Sequence, residues 1–377
     1  MNSAAHPIRV LIVDDSAVVR KALADTLAQD PQIQVVGTAP DPYAAREKIL
    51  ELHPDVLTLD IEMPRMDGLT FLRILQQHYP IPVVVVSSLT QSGSQAALAA
   101  LEAGAVDVVG KPSSSWSIGH LGPQLIQKVK AAAAARLRRP PLPAASVPPA
   151  RLSAPAHRPG HPWQVILIGA STGGTEAIRA VLTRLPAALP PILIVQHIPP
   201  VFSRAFAQRL AQSCAFEVRE AQHGEPIRPG LALLAPGDYH MRLSLSVGQL
   251  RVLLDQSPPV HHTRPAVDPL FNSAASTVGR HATAVLLTGM GSDGAEGMEQ
   301  IKRAGGVTIA QNEETCVVFG MPRAAIQRGV VDYVVPLQQI PEAILQALER
   351  PRPLTGPTQT SSPCNPRIVQ HPESTCP

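Results

Sequence analysis

Val165-Ile166-Leu167-Ile168-Gly169-Ala170-Ser171-Thr172-Gly173-Gly174 is an apolar run that ends in a glycine-flanked serine, and Thr175-Glu176-Ala177-Ile178-Arg179-Ala180-Val181-Leu182 follows it. The first part reads as a buried strand and the second as a helix. A strand, a tight turn bearing serine and a helix start are what a nucleophilic serine needs. The glycines allow a turn too tight for side chains, the serine oxygen is thrust out at the strand's end, and the helix N-terminus offers N–H groups and a positive dipole end. Gly169 to Gly173 fits the G-x-S-x-G pattern of a nucleophile elbow. So short a string also occurs by chance, and its weight depends on a base and an orienting acid elsewhere.

The base must lie within hydrogen-bond reach, because a neutral hydroxyl attacks carbonyl carbon poorly. Of 13 histidines, His157, His161 and His371 fall in non-periodic stretches, while His6, His53, His78 and His120 belong to the N-terminal part. His197 directly follows the buried-type strand Ile192-Leu193-Ile194-Val195-Gln196, so it is expected at the same sheet edge as Ser171. His240, in Pro236-Gly237-Asp238-Tyr239-His240, is a second choice, and the pair His261-His262 a third. For the acid that fixes the imidazole tautomer, Asp293 stands in Gly289-Met290-Gly291-Ser292-Asp293-Gly294, after the strand Ala284–Leu287. Three groups at three strand ends then meet where parallel sheets bind ligands. The backbone N–H of Thr172, next after the serine, is the natural oxyanion donor.

Working outward, residues 163–350 give further strands at Leu231–Ala235 and Val307–Ala310, helices around Glu176–Leu185, Ser203–Ser213 and Ala295–Ala304, and an alternating hairpin pattern from His240 to Val260. Two rival readings attach to this half. Gly289 to Gly294 is a literal G-x-G-x-x-G, with Glu313 about 20 residues on, as a dinucleotide site has it. It comes late in the domain, however, with room for only one more clear strand, and it leaves Ser171 and His197 unexplained. A helix-turn-helix output is the other rival, and a domain with several buried strands is the wrong shape for it.

Residues 8 to about 125 alternate strand and helix signals every 25 residues or so, the mark of βα units on a parallel sheet. The strands are Ile8–Val13, Gln34–Thr38, Asp55–Leu59, Val83–Val86 and Val106–Val109; Asp41-Pro42 reads as a helix cap followed by proline at the first helical position. Chemically loaded residues follow these strands: Asp14 and Asp15 the first, Asp60 the third, Ser87 the fourth and Lys111 the fifth. Three carboxylates at one edge repel one another unless a cation joins them, and hard oxygen donors suit Mg²⁺. A carboxylate beside Mg²⁺ can attack a phosphoryl donor, and a hydroxyl and an ammonium can hold the resulting oxygens, roles that Asp60, Ser87 and Lys111 fit. Any one of these residues alone would be read as a solvated strand end. With Lys111-Pro112 and Met63-Pro64-Arg65-Met66-Asp67-Gly68 beside them, the set resembles the response-regulator receiver family. The resemblance implies phosphorylation of Asp60 by a histidine kinase, with Asp15 and the Glu62 carbonyl as further metal ligands.

Composition bounds the remainder. A chain of 377 residues is long enough for two cores. The cysteines at 214, 316, 364 and 376 show neither disulfide-framework nor zinc spacing, which fits a reducing cytoplasm. No stretch approaches the roughly 20 apolar residues of a membrane span, and the N-terminal residues do not read as a signal peptide. With net charge +3 and 3% aromatics, a nucleic-acid partner is not expected. The 40 prolines are about twice the usual share, and many of them lie in two blocks. Residues 131–162, with Arg138-Arg139-Pro140-Pro141, read as a semi-rigid linker whose arginines keep it solvated.

Taken together, Gly169–Gly174, Val195-Gln196-His197-Ile198-Pro199 and Thr288–Gly294 resemble the chemotaxis protein-glutamate methylesterase family, CheB type; Ala235–Met241 and Arg264-Pro265-Ala266-Val267-Asp268-Pro269-Leu270-Phe271 are also similar. The order serine, histidine, aspartate differs from that of ordinary α/β-hydrolases. By the resemblance, Ser171, His197 and Asp293 are the triad and the Met290 N–H is a second oxyanion donor. It implies hydrolysis of glutamate γ-methyl esters on chemoreceptors and deamidation of certain receptor glutamines. The esterase chemistry is expected to use no cofactor, and the protein to be a cytoplasmic monomer. A catalytically dead docking module is the alternative. The expected fold class is α/β with two doubly wound parallel-sheet domains: a flavodoxin-like receiver over 7–125, a linker over 126–162, a Rossmann-like hydrolase domain over 163–350 and a disordered tail over 351–377.

Overall fold

The computed structural model describes residues 6–64, 66–111, 118–136, 152 and 162–350, with backbone alone for 118–121. Most of the expected linker, and the whole tail over 351–377, lie outside the described residues.

The N-terminal half alternates strand and helix: β1 (Ile8–Val13), α1 (Ala17–Leu27), β2 (Ile33–Ala39), α2 (Pro42–Leu52), β3 (Val56–Asp60), α3 (Gly68–His78), β4 (Val83–Ser87), α4 (Gln91–Glu102), β5 (Asp107–Gly110) and α5 (Ile118–Ala133). Its strands pair in parallel in the order β2-β1-β3-β4-β5, the flavodoxin-like winding, and each expected strand is present. Asp41 caps α2 as its sequence indicates, accepting from the Tyr43 and Ala44 amides at 2.9 Å. One boundary differs. α5 runs to Ala133, past the expected domain edge at 125, because Leu125, Val129 and Ala132 bury in the core formed with Val10, Ile12 and Leu27. Ala131–Ala133, the start of the alanine run that looked like linker, are thus the end of a helix.

The second half contains β6 (Val165–Ala170), α6 (Gly174–Leu182), β7 (Ile192–Gln196), α7 (Phe202–Ser213), β8 (Glu217–Glu220), β9 (Leu231–Leu234), β10 (His240–Ser246), β11 (Gln249–Asp255), α8 (Val267–Thr277), β12 (Ala282–Leu286), α9 (Ala295–Arg303), β13 (Val307–Gln311), α10 (Met321–Gln327), β14 (Tyr333–Val335) and α11 (Ile340–Glu349). Seven parallel strands pair in the order β14-β13-β12-β6-β7-β9-β8, and β10-β11 is a separate antiparallel hairpin. The chain leaves β6 towards β7 and later returns to β12 on its other side, so the switch point falls at β6.

Several elements have no counterpart in the sequence reading. β8 is a charged edge strand with Val218 alone buried, and edge strands carry little apolar pattern. β14 has three residues, and it makes two strands after the glycine-rich loop where one was expected. α8 begins without a side-chain cap and carries Pro269, which disguises a helix burying Val267, Leu270, Phe271 and Ala274. α10 and α11 also start with proline in their first turn. Among the described residues no helix is long and apolar enough to cross a membrane.

The two halves pack directly. α4 lies against α6 and α7, with Leu98 and Leu101 facing Phe206 and Leu210, and Glu102 pairs with Arg209. Arg136, after α5, pairs with Glu313 at 2.7 Å.

Candidate active site

Ser171 follows β6 directly. Gly173 has φ +75, a left-handed conformation that lets the chain turn at once into α6, and the Gly174 amide donates to the Ser171 carbonyl at 2.7 Å. At Gly174 there is no room for a side chain: a Cβ would stand 2.1 Å from Gln196 Oε1. Two backbone bonds fix this turn to its neighbours, Ser171 N–H to the Thr288 carbonyl at 3.0 Å and His197 N–H to the Ala170 carbonyl at 3.1 Å.

The three residues suggested from strand ends come together. His197 Nδ1 lies 3.1 Å from Ser171 Oγ and His197 Nε2 lies 2.7 Å from Asp293 Oδ2. They are supplied by the adjacent strands β7, β6 and β12. Asp293 is 1% exposed and Ser171 8% exposed, so water screens the set weakly. Burial alone would push the Asp293 carboxyl up; the His197 ring and the amides of Val267 and Asp268 outweigh it and hold the group below the ordinary range. Those amides, at 2.6 and 3.0 Å, belong to the first residues of α8. A helix N-terminus thus stabilises the buried negative charge. Sequence reasoning missed this support, since nothing marked residues 266–268 as a helix start. It also missed Thr263, whose Oγ1 lies 3.4 Å from His197 Nε2.

His240 and His261 have partners other than Ser171, and His262 lines the cleft without a hydrogen bond to it. His240 is fully buried between the Pro258 carbonyl and the Ala266 amide, and burial pushes its ring below the ordinary imidazole value. His261 Nε2 pairs with Asp268 Oδ2 at 3.0 Å. Burial and the neighbouring Asp293 charge push the Asp268 carboxyl up, against the Gly297 amide and His261. Gly289–Gly294, the dinucleotide-like string, forms the turn that carries Asp293; a Cβ at Gly289 would stand 2.3 Å from Met321 Sδ and 2.7 Å from Ser171 Cβ. Its glycine answers close packing, and Glu313 is paired with Arg136.

A cleft of about 280 Å³ opens over the set, lined by Ser171, Thr172, His197, Met290 and Asp293, and on its far side by Gln124, Gln127 and Lys128 of α5. Thr172 Oγ1 donates to Asp107 Oδ2 at 2.6 Å, and Asp107 also pairs with Lys128. The N-terminal domain therefore walls one side of the cleft and holds the residue beside Ser171.

At the first domain's own sheet edge, Lys111 Nζ lies 2.7 Å from Asp60 Oδ2 and 3.2 Å from Asp14 Oδ2. The Glu62 amide donates to Asp60 Oδ1 at 3.0 Å. Burial pushes the Asp60 carboxyl above the ordinary range despite Lys111 and the Glu62 amide. Lys111 is raised in turn, the bond to Asp60 outweighing burial. Oxygens of Asp14, Asp15 and Asp60 lie within 4.8 Å of one another, and buried Asp14 Oδ2 has the Lys111 ammonium beside it and no further polar partner among the described residues. That donor set fits a hard divalent cation. Ser87 is not brought to Asp60: its hydroxyl donates to the Gly93 carbonyl at 3.0 Å. The Glu62 carboxylate accepts from Ser88.

Comparison with known proteins covers both domains. Residues 166–344 match the family profile described as CheB methylesterase, and residues 10–119 match the response regulator receiver domain. The chain is 50% identical over 339 residues to protein-glutamate methylesterase/protein-glutamine glutaminase 2 of Syntrophus aciditrophicus, covering 90% of this chain and 98% of that protein. It is 52% identical over 341 residues to the protein of the same description from Bordetella avium, covering 90% and 96%. Among solved structures, the CheB methylesterase catalytic domain of Thermotoga maritima is 42% identical, with a TM-score of 0.48, covering 48% of this chain and 97% of that one.

Proposed function

The chain belongs to the CheB methylesterase family and carries a response regulator receiver domain, and on that footing we propose that it hydrolyses glutamate γ-methyl esters of chemoreceptors to glutamate and methanol and deamidates receptor glutamines to glutamate. The observation that carries the reading is the Ser171–His197–Asp293 chain of contacts at 3.1 and 2.7 Å, set at the cleft floor.

In this reading Ser171 Oγ attacks the γ-carbonyl carbon while His197 Nδ1 takes its proton. Asp293 holds the ring through Nε2 and stabilises the imidazolium, and the Thr172 and Met290 amides receive the oxyanion. Collapse breaks the C–O bond to the methoxy group, which leaves as methanol with the proton from His197. Water, deprotonated by His197, then attacks the acyl-serine carbon, the Ser171 bond breaks, and glutamate is released. With glutamine the leaving group is ammonia. The esterase steps use only these side chains and amides.

Asp60 is the phosphoacceptor, taking the phosphoryl group from a histidine kinase as the bond to the kinase's histidine breaks. Asp14, Asp15, Asp60 and the Glu62 carbonyl would hold Mg²⁺, which neutralises charge on the phosphoryl oxygens. Lys111 holds one such oxygen, and Ser87 turns from Gly93 to hold another. Phosphorylation shifts the receiver from this arrangement, in which Lys128 lines the cleft and Asp107 holds Thr172, to one that admits substrate. The protein acts as a cytoplasmic monomer.

Methanol release from methylated receptor, with labelling of Ser171 by a serine-reactive probe, tests the chemistry; a chain that binds receptor yet does neither is a docking module. Two variants test the switch. Asp60→Asn abolishes stimulation by phosphodonor while basal turnover persists, and equal stimulation of both proteins removes Asp60 from the role. Asp107→Asn takes away a buried charge-assisted bond, and basal methanol release without phosphodonor rises about tenfold. An unchanged basal rate shows that this bond does not hold the cleft shut.

A further inference from the structure

We propose that the receptor presents its methylated side chain on an amphipathic helix, and that Val201 and Tyr239, each next in the chain to a residue lining the cleft, form the apolar seat on which that helix rests while the side chain reaches Ser171. The inference rests on the receptor reading above and names the surface that recognises the receptor.

A cleft of about 280 Å³ takes one side chain, so a helix that delivers it must lie on the rim. Pro199, Pro200 and Asp238 line the cleft, and Val201 and Tyr239 follow Pro200 and Asp238 directly in the chain. Both are large apolar side chains left 42% and 38% exposed. Val201 holds φ +74 and ψ −37. A β-branched residue is a genuine outlier there, and its side chain still stays well exposed. Of the six non-glycine residues with positive φ among the described residues, Val201, Asp238, His261 and His262 lie in or beside this cleft. Backbone strain therefore gathers where substrate enters.

The rim cannot relax away from this arrangement. A Cβ at Gly237 would stand 2.5 Å from Pro200 N and 2.6 Å from the Pro199 carbonyl carbon, so the loops bearing Val201 and Tyr239 touch backbone to backbone. Ser203 Oγ ties them again, accepting from Gly237 N–H at 3.0 Å and donating to Glu220 at 2.6 Å. Two clamped loops presenting valine and tyrosine beside an ester-cleaving serine suit the apolar stripe of an amphipathic helix. The contact continues the cleft itself, which selects the substrate over other occupants.

Val201→Gly and Tyr239→Ala in the full chain, assayed with phosphodonor, test this. The substrates are a methylated receptor fragment and the small ester p-nitrophenyl acetate. The ratio of receptor to small-ester kcat/KM falls about tenfold in Tyr239→Ala, through KM, and severalfold in Val201→Gly. Val201→Gly at the same time raises the melting temperature, because glycine adopts that φ freely; a merely structural valine would show no loss of receptor turnover with gained stability. An unchanged ratio overturns the proposal, as does loss of a dimer in sedimentation with KM unaltered, which would assign the patch to a second copy. If wild type hydrolyses p-nitrophenyl acetate but releases no methanol from receptor, the receptor reading itself fails.

Discussion

Ser171→Ala is expected to lower methanol release from methylated receptor by about 10⁴-fold or more. In the proposed mechanism its hydroxyl forms the acyl bond, and that hydroxyl lies 3.1 Å from His197 Nδ1. The backbone bonds that shape the turn, from Ser171 N–H to Thr288 and from Gly174 N–H to Ser171, do not involve the side chain. The variant should therefore melt as wild type does and bind receptor with similar affinity. Residual activity reflects the Thr172 and Met290 amides, which still face the carbonyl oxygen in this reading. Near-wild-type methanol release would remove Ser171 from the chemistry.

Asp293→Asn should cost about 10⁴-fold in kcat with little change in KM, as the same substitution does in the serine-protease template. The geometry gives the reason. Oδ2 accepts from His197 Nε2 and Val267 N–H, and Oδ1 accepts from Asp268 N–H. An asparagine has one acceptor oxygen for these donors. With its amide nitrogen turned towards His197, Nε2 must become the acceptor and Nδ1 carries the proton, so the ring cannot take one from Ser171. With the nitrogen turned the other way it faces the Asp268 N–H, and the imidazolium lacks a countercharge. The carboxyl of Asp293 titrates below its ordinary value in the fold, so its charge stabilises the folded state at neutral pH. That contribution is lost as pH falls through the depressed value. Urea unfolding should show wild type more stable than Asp293→Asn at neutral pH, the difference narrowing in acid. A kcat within tenfold of wild type would separate Asp293 from the base.

Much of the site was legible because each key residue directly follows a recognisable strand or glycine turn. Val165–Ile168 and Ile192–Val195 are continuous apolar runs, and a parallel sheet buried on both faces demands such runs. Ser171 and His197 then had to share an edge, whatever lay between them in the chain. Asp14, Asp60 and Lys111 converge for the same reason, since β1, β3 and β5 all end at one side of their sheet.

Local pattern therefore determined the βα order of the N-terminal domain, the central strands of the second, and which strand-end residues meet at each sheet edge. Only the tertiary structure decided the rest. α8 supplies the amides that hold Asp293, yet its start has no capping side chain to betray it. Asp107 lies 65 residues before Thr172 in sequence and meets it only when the two domains close. The strain at Val201 is a backbone angle, imposed by the fold around the cleft rather than by the preference of valine. Each of these is a contact or a dihedral between segments remote in the chain. Such features depend on how faces pack, which periodicity and spacing along one strand or helix do not encode.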